Sequence, residues 1–408
     1  MIIELIISLI LGILFGTLTG LIPGIHINLI SLILLSISSR FLGFTTPLIL
    51  SIFIVAMAIT HTFVDFIPSI FLGAPDEDSF LSILPGHQFL LRGHGYFAII
   101  LTLYGSLTAL FIIIITLPLF IYLLPLVYPY LQKIIWIVLI LVSIFLINTE
   151  KERKIWALTI FILAGFLGIA SFNLNIKEPL LPLLTGLFGS SNLIISITNK
   201  TQIPKQKIIK LSNITLPKKS LIKNSLASIL SAPFTAFLPG LGSSQAALIG
   251  QQIFKIKDTR EFLFLLGSIN TIVMGLSFVT LYSISKTRTG AAVSISQLLP
   301  KLNITELYLI IFTMIFSGII AFFITLIISK FISKNITNIN YSKISISILT
   351  ILFFIVIIFS DYSFYGKILS IIIFLTSTFL GIFTTLLKIK RIHLMGCLII
   401  PTIIFYLI

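Results

Sequence analysis

Apolar residues in this chain come in blocks of about 20, separated by short polar breaks. A block of that length, wound as a helix, crosses the roughly 30 Å hydrocarbon core of a bilayer. Few architectures accept such a pattern. In lipid every backbone N–H and C=O needs a partner within the protein, so a spanning segment is either a helix or a strand of a closed barrel. Barrel strands alternate in polarity over about 10 residues, and no such alternation occurs here. The pattern predicts an all-α polytopic membrane protein, multi-pass in the cell (plasma) membrane.

Composition excludes the main alternatives. Only 10% of residues are charged and mean hydropathy is +1.18, against about 25% charged residues in a soluble domain. There is too little charge to cover a soluble surface, which rules out a cytosolic enzyme, a disordered chain and a disulfide scaffold. The net charge of +15 does not point to nucleic acid. The basic residues lie in the breaks between blocks, as they do in cytoplasmic loops of membrane proteins. One cysteine, Cys397, excludes an intrachain disulfide and a cysteine metal cage; it sits in an apolar stretch and reads as packing. The start, Met1-Ile2-Ile3-Glu4, has no basic n-region, so the first block reads as a retained helix rather than a signal peptide.

Seven blocks, at 2–22, 25–39, 47–72, 96–126, 129–148, 155–172 and 180–198, precede a lysine-rich segment at 199–223. Seven more follow, at 222–238, 241–254, 262–285, 304–329, 342–360, 367–387 and 392–408. The expected organisation is a first membrane repeat at 1–198, a basic cytoplasmic linker at 199–221 and a second repeat at 222–408. Blocks 25–39 and 241–254 are short for a crossing. Such segments survive as half-helices or re-entrant pieces when they are buried in protein or line a cavity.

Landmarks recur at one offset. Leu21-Ile22-Pro23-Gly24-Ile25 returns as Phe237-Leu238-Pro239-Gly240-Leu241, 216 positions on. Met57 precedes Gly73-Ala74 by the same interval at which Met274 precedes Gly290-Ala291. Basic loops then orient the copies. Lys151, Arg153, Lys154 and the linker mark the cytoplasmic side in the first half. Lys330, Lys334 and Lys343, then Lys388, Lys390 and Arg391, mark it in the second. Their positions within the repeat swap between halves, as an odd number of crossings per copy requires. Two inverted-topology repeats, with broken or re-entrant helices at the Pro-Gly motifs, are the expectation. That design is typical of secondary transporters.

The chemistry concentrates in paired segments. At Gly20–Asn28 and Phe237–Gln245 a Pro-Gly breaks the helix, and a new helix starts with Asn28, or with Ser243 and Ser244, near its N-terminus. Free N–H groups and a positive dipole end suit a carboxylate. The plain alternative is a kink or a surface loop. The second pair is uneven. Residues 61–94 carry His61, Asp65, Asp76, Glu77, Asp78, His87, Arg92 and His94, whereas 280–300 carry Lys286, Arg288 and many hydroxyls. His61 and Asp65 share a helix face. A carboxylate inside a membrane is costly unless paired, which marks Asp65 as functional by default, although a pair that merely locks packing would look the same. Asp76-Glu77-Asp78 also reads as a solvated face, and Lys286 and Arg288 as surface charges. His87 and His94 lack matching further ligands for a metal. There is no P-loop, GxSxG, HExxH, Arg ladder or TVGYG-like filter.

Taken in order, Gly16-Thr17-Leu18-Thr19-Gly20-Leu21-Ile22-Pro23-Gly24-Ile25, Gly73-Ala74-Pro75, Leu84-Pro85-Gly86-His87, Gly93-His94-Gly95 and Phe237-Leu238-Pro239-Gly240-Leu241-Gly242 give the chain a family likeness. It resembles the large permease subunit of the tripartite tricarboxylate transporters, particularly the shorter archaeal-type members. The resemblance implies a gradient-driven carrier of carboxylates, served by an extracytoplasmic binding protein and a small membrane subunit. By match to the Pro-Gly segments it implies Gly24, Asn28, Gly240, Gly242, Ser243 and Ser244 as substrate-site residues.

The combined expectation is an ion-coupled secondary transporter of an organic anion, a di- or tricarboxylate, held near the bilayer midplane between paired broken helices. Gly24, His26, Asn28, Gly240, Gly242, Ser243, Ser244, Gln245, Lys286 and Arg288 are the candidates for substrate, and His61, Asp65, Asp76 and Asp78 for a coupling H⁺ or Na⁺. No further cofactor and no nucleic-acid partner are expected. An intramembrane enzyme acting on a lipid-linked substrate, with Asp76, Glu77, Asp78 and His87 as its site, and a membrane scaffold subunit are the alternatives.

Overall fold

The computed structural model describes residues 2–22, 27–36, 43, 45–73, 83–150, 152–198, 203–214, 216–237, 242–287, 289–338 and 341–407. Among these residues every regular element is helical. Nine helices of the described part are long and apolar enough to cross a membrane, and the chain is a multi-pass membrane protein.

The first half contains α1 (Ile2–Leu21), α2 (Ile27–Ser36), α3 (Pro47–Val64) and α4 (Phe66–Phe71). The α3 start is set locally: the Thr46 hydroxyl accepts the Ile49 N–H, and Pro47 takes a first-turn position where its missing donor costs nothing. Asp65 joins α3 to α4 with helical dihedrals, and its N–H still reaches the His61 carbonyl at 2.9 Å. After a π-turn at Ile83–His87 come α5 (Gln88–Leu91), α6 (Gly95–Asn148), α7 (Lys154–Asn173) and α8 (Leu180–Leu184). A second π-turn, Thr185–Ser190, carries α8 into α9 (Ser191–Thr198). The second half has α10 (Lys218–Phe237), α11 (Ser243–Ile253), α12 (Thr259–Ile284), α13 (Gly290–Leu298), α14 (Ile304–Asn335), α15 (Tyr341–Phe359), α16 (Phe364–Leu386) and α17 (Gly396–Leu407).

The two short blocks are half-length helices. α2 has 10 residues and α11 has 11, about 15 and 17 Å at 1.5 Å per residue, or half the hydrocarbon thickness. One expected boundary is absent. Blocks 96–126 and 129–148 run together in the 54-residue α6, with Pro118, Pro125 and Pro129 inside it. Each proline removes one backbone bond and favours a kink, but the flanking residues retain helical bonding, so the break expected there does not form. At the corresponding place in the second half a 3₁₀ turn, Ile336–Asn338, does separate α14 from α15.

Packing is reciprocal between the halves. α1 lies on α3 as α10 lies on α12. Across the halves α3 packs on α14 and α12 on α6, while α7 packs on α17 and the Thr185–Ser190 turn on α16. Association in lipid relies on close approach of small residues. Gly12, Gly16 and Gly20 repeat every fourth residue along α1 and press against Phe53, Met57 and Val64 of α3. Gly105 of α6 and Gly267 of α12 meet each other's backbones, at Phe264 and Thr102. A large core results, shared by both halves, with Ile54, Phe63, Leu266 and Ile310 fully buried. Outward-facing residues such as Phe111, Ile115, Phe331 and Phe379 are exposed, as a lipid-facing surface requires.

Two loop pairs tie the halves at opposite ends of α7. Near its start the Arg153 guanidinium donates to the Leu387 carbonyl, and Lys390 Nζ donates to the Thr149 carbonyl at 2.7 Å. Beyond its end the Lys177 N–H donates to Asp361 Oδ2 at 3.0 Å, and the Glu178 N–H to the Ser360 carbonyl at 3.0 Å. α16 begins beside the second pair and ends beside the first, so α7 and α16 run antiparallel. The linker is pinned as well. Gln206 is buried; its Oε1 accepts from the Gly95 N–H at 2.8 Å and its Nε2 donates to the Leu90 carbonyl at 3.0 Å.

Three outcomes are expected. A valine at Gly267 forces a side chain onto the Thr102 backbone and should cost on the order of 1–3 kcal/mol, read as a lower unfolding temperature in detergent. Gly189→Ala, whose Cβ would meet nothing nearer than 3.4 Å, should be tolerated. N–H and hydroxyl donors from Ser363, with the Lys177 N–H, hold Asp361 below the usual carboxylate range. Its stabilisation is therefore complete above the unfolded value of about 3.9 and is lost as pH falls through the lower folded value. Asp361→Asn should flatten that acid limb in a thermal-stability profile against pH.

Candidate functional site

Asp65 is 4% exposed within an apolar core. A carboxylate placed there demands donors, because burial without them costs far more than a hydrogen bond returns. One donor comes from the other half of the chain: Asn270 Nδ2 lies 3.0 Å from Asp65 Oδ2. The same nitrogen is 3.5 Å from the Thr62 carbonyl. The last turn of α3 and the Asp65 that follows it supply both acceptors, and α12 brings the amide to them. Beside this contact the hydroxyls of Thr62 and Thr271 lie 3.3 Å apart. His61, 3% exposed, turns Nδ1 to the Thr19 hydroxyl of α1 at 3.1 Å.

The other face of Asn270 leads to α11. Its Oδ1 accepts from the Ser243 hydroxyl at 3.4 Å. Ser243, Ser244 and Gln245 form the first turn of α11 and are fully buried. Gly242 precedes them with extended dihedrals as the N-cap, and its N–H donates to Gln245 Oε1 at 2.8 Å. That bond folds the Gln245 amide back over the helix start. Gln245 Nε2 is buried with no hydrogen-bond partner among the described residues. A buried N–H₂ group beside a helix N-terminus combines a donor that needs an acceptor with a positive dipole end. The arrangement suits a small anion, a carboxylate above all.

The structure therefore brings together Asp65 and His61 from the cation candidates and Gly242, Ser243, Ser244 and Gln245 from the substrate candidates. Asn28 is the second residue of α2. Lys286 is exposed in the turn after α12, which Ser285 closes with a left-handed φ of 53°; the intervening helix places it about 20 Å along α12 from Asn270. Gly24, His26, Gly240, Arg288, Asp76 and Asp78 lie outside the described residues, as does Glu77. His87 Nδ1 faces the Ile70 carbonyl at 3.2 Å and His94 Nδ1 the Arg92 carbonyl at 2.9 Å. Among the described residues no three His, Cys, Asp or Glu side chains group as metal ligands.

Asn270, Thr62, Thr271 and Thr19 were not among the residues singled out by sequence. A signal existed for Asn270: it is an amide in the middle of an otherwise apolar block, where an unpaired polar group is costly. Nothing in the sequence pairs it with Asp65, 205 positions away.

Residues 6–396 match the family described as the tripartite tricarboxylate transporter TctA family. The chain is also 33% identical over 367 residues to an uncharacterised protein of Methanocaldococcus jannaschii, covering 87% of this chain and 88% of that one. No solved structure matches the chain.

The Asp65–Asn270 contact should be measurable. Asn270→Leu removes the donor and should destabilise the protein by about 1.5–3 kcal/mol, the range for hydrogen bonds to charged groups. A thermal-unfolding double-mutant cycle with Asp65→Leu should return a coupling of about 0.5–3 kcal/mol. Strict additivity would mean that the two side chains do not interact.

Proposed function

Since the chain belongs to the tripartite tricarboxylate transporter TctA family, a family of transporters rather than enzymes, we propose that it is an ion-coupled secondary transporter of an organic anion, a di- or tricarboxylate. The observation that carries this reading is the chain of contacts from Asp65 through Asn270 to Ser243. It links a buried carboxylate, suited to a cation, to a half-helix N-terminus, suited to an anion. The N–H groups of that terminus, the Ser243 and Ser244 hydroxyls and Gln245 Nε2 hold the substrate carboxylate. Asn28 and the Pro-Gly segments at Gly24 and Gly240 complete the site from the paired break. Asp65, with His61 behind it, takes the coupling H⁺ or Na⁺, so that the charged pair forms inside the protein and not in lipid.

The scaffold is two inverted repeats, 1–198 and 222–408, joined by the basic linker. The antiparallel course of α7 and α16 and the reciprocal packing of the halves support this. Inversion gives two mirrored packings of one unit, the geometry by which a central site opens alternately to each side. The resemblance to a tripartite system extends the proposal to an extracytoplasmic binding protein and a small membrane subunit as partners.

The test is uptake into proteoliposomes of labelled citrate and succinate under an imposed Na⁺ or pH gradient. Wild type should accumulate a carboxylate only with a gradient. Asp65→Asn should insert normally and lose accumulation by at least about tenfold, the scale of 1.4 kcal/mol in coupling. Gradient-driven uptake at the normal rate by that variant removes Asp65 from the mechanism.

A further inference from the structure

Two loops meet at the end of the bundle where α7 starts and α16 stops. The Arg153 guanidinium donates to the Leu387 carbonyl, and Lys390 Nζ to the Thr149 carbonyl at 2.7 Å. Between the loops lies a cavity of about 360 Å³, lined by Thr149, Glu150, Glu152, Arg153, Lys388 and Lys390. Its surroundings are positive: segments 149–154 and 387–391 together carry six Lys or Arg and two acids. One acid is already engaged, since Glu150 Oε2 lies 3.3 Å from His393 Nε2 and 3.8 Å from Lys390 Nζ. Glu152 is exposed, where salt screens its charge. Two cations keep donors to spare. A guanidinium is a fork of N–H groups, and the Leu387 carbonyl engages one branch of Arg153. The Lys388 ammonium makes no hydrogen bond or ion pair among the described residues. Its backbone holds a left-handed φ of 54°, a conformation that costs a lysine energy and a glycine none.

Apolar surface begins at once on both helices. Ile155 and Trp156 in the first turn of α7, and Leu386 at the end of α16, are exposed. The Trp156 ring stands edge-on to Phe383 at 6.3 Å, across the seam between the two helices. In a membrane protein such residues face acyl chains, and a tryptophan at a helix end sits at headgroup level.

We propose that this cavity binds the headgroup phosphate of an anionic phospholipid whose acyl chains lie along the α7–α16 seam. Arg153 and Lys388 hold the phosphate. The guanidinium fork matches its oxygens, and a basic pocket between membrane helices has the charge to select it. A free phosphate would use the charges alone, whereas a lipid uses the charges and the apolar seam together. The seam joins the first half of the chain to the second, so a bound lipid clamps one to the other. None of these residues takes part in the Asp65–Asn270–Ser243 contacts, and the site does not depend on the carrier reading.

The test is thermal unfolding of the purified full chain in a neutral detergent, titrated with phosphatidylglycerol, with phosphatidylcholine and with soluble glycerol phosphate. Phosphatidylglycerol should raise the unfolding temperature to a plateau, and the other two should not. Lys388→Gln should raise the phosphatidylglycerol concentration at half-effect by roughly fivefold, the scale of one basic residue at a lipid surface. Arg153→Gln should do the same; if loss of the Leu387 bond prevents its folding, the exposed Lys388 decides. Lys330→Gln, on the exposed surface of α14 and outside the cavity, should titrate as wild type. The site is overturned if Lys388→Gln titrates as wild type, or if Lys330→Gln is weakened equally, which would mean attraction to basic surface in general. An equal shift with phosphatidylcholine overturns the selection of an anion, and an equal shift with glycerol phosphate overturns the lipid as its source.

Discussion

A carboxylate deep in an apolar protein has to be met by donors from the protein itself, and Asp65 is met by Asn270. The two lie on helices from opposite halves of the chain, so the bond can form only when α3 and α12 are packed together. Charge satisfaction and assembly of the halves are therefore one event. The polar residues around it, Thr62, Thr271, Ser243 and His61, are buried in the same layer, where water is excluded and a misplaced donor or acceptor is costly.

Close approach of backbones makes that layer possible. Glycines on α1, α6 and α12 let helices meet at main-chain distance, which brings short side chains such as serine and threonine within reach of partners on the next helix. Larger residues at those positions would separate the helices and leave hydroxyls and amides facing gaps. The half-length helices follow from the same economy. α11 begins inside the protein, and the backbone groups of its first turn are tolerated because side chains, not lipid, surround them. Gln245 capping the Gly242 N–H shows how one such end is handled.

The halves differ in their chemistry. The first carries the acid and the histidine, the second the amide, the hydroxyls and the buried glutamine. A duplicated bundle with two identical polar centres would place like charges near one another, an arrangement that low dielectric penalises. With the acid on one half and the neutral donors on the other, a hydrogen bond forms between them instead.

The block pattern alone defined an all-helical, multi-pass membrane protein, because hydrophobic length and backbone satisfaction in lipid leave no other choice. The short blocks at 25–39 and 241–254 already declared α2 and α11 too short to cross. Asp65, Ser243 and Gln245 were legible because a polar group inside an apolar run, or after a helix break, stands out by itself. The continuity of α6 was not legible, since prolines mark where a helix weakens and the surrounding packing decides whether it breaks. Asn270 was not legible as the partner of Asp65 either. Residue type and position are properties of a segment, whereas a hydrogen bond between residues 205 positions apart depends on which helix faces are pressed together, and that is settled only when the two halves fold against each other.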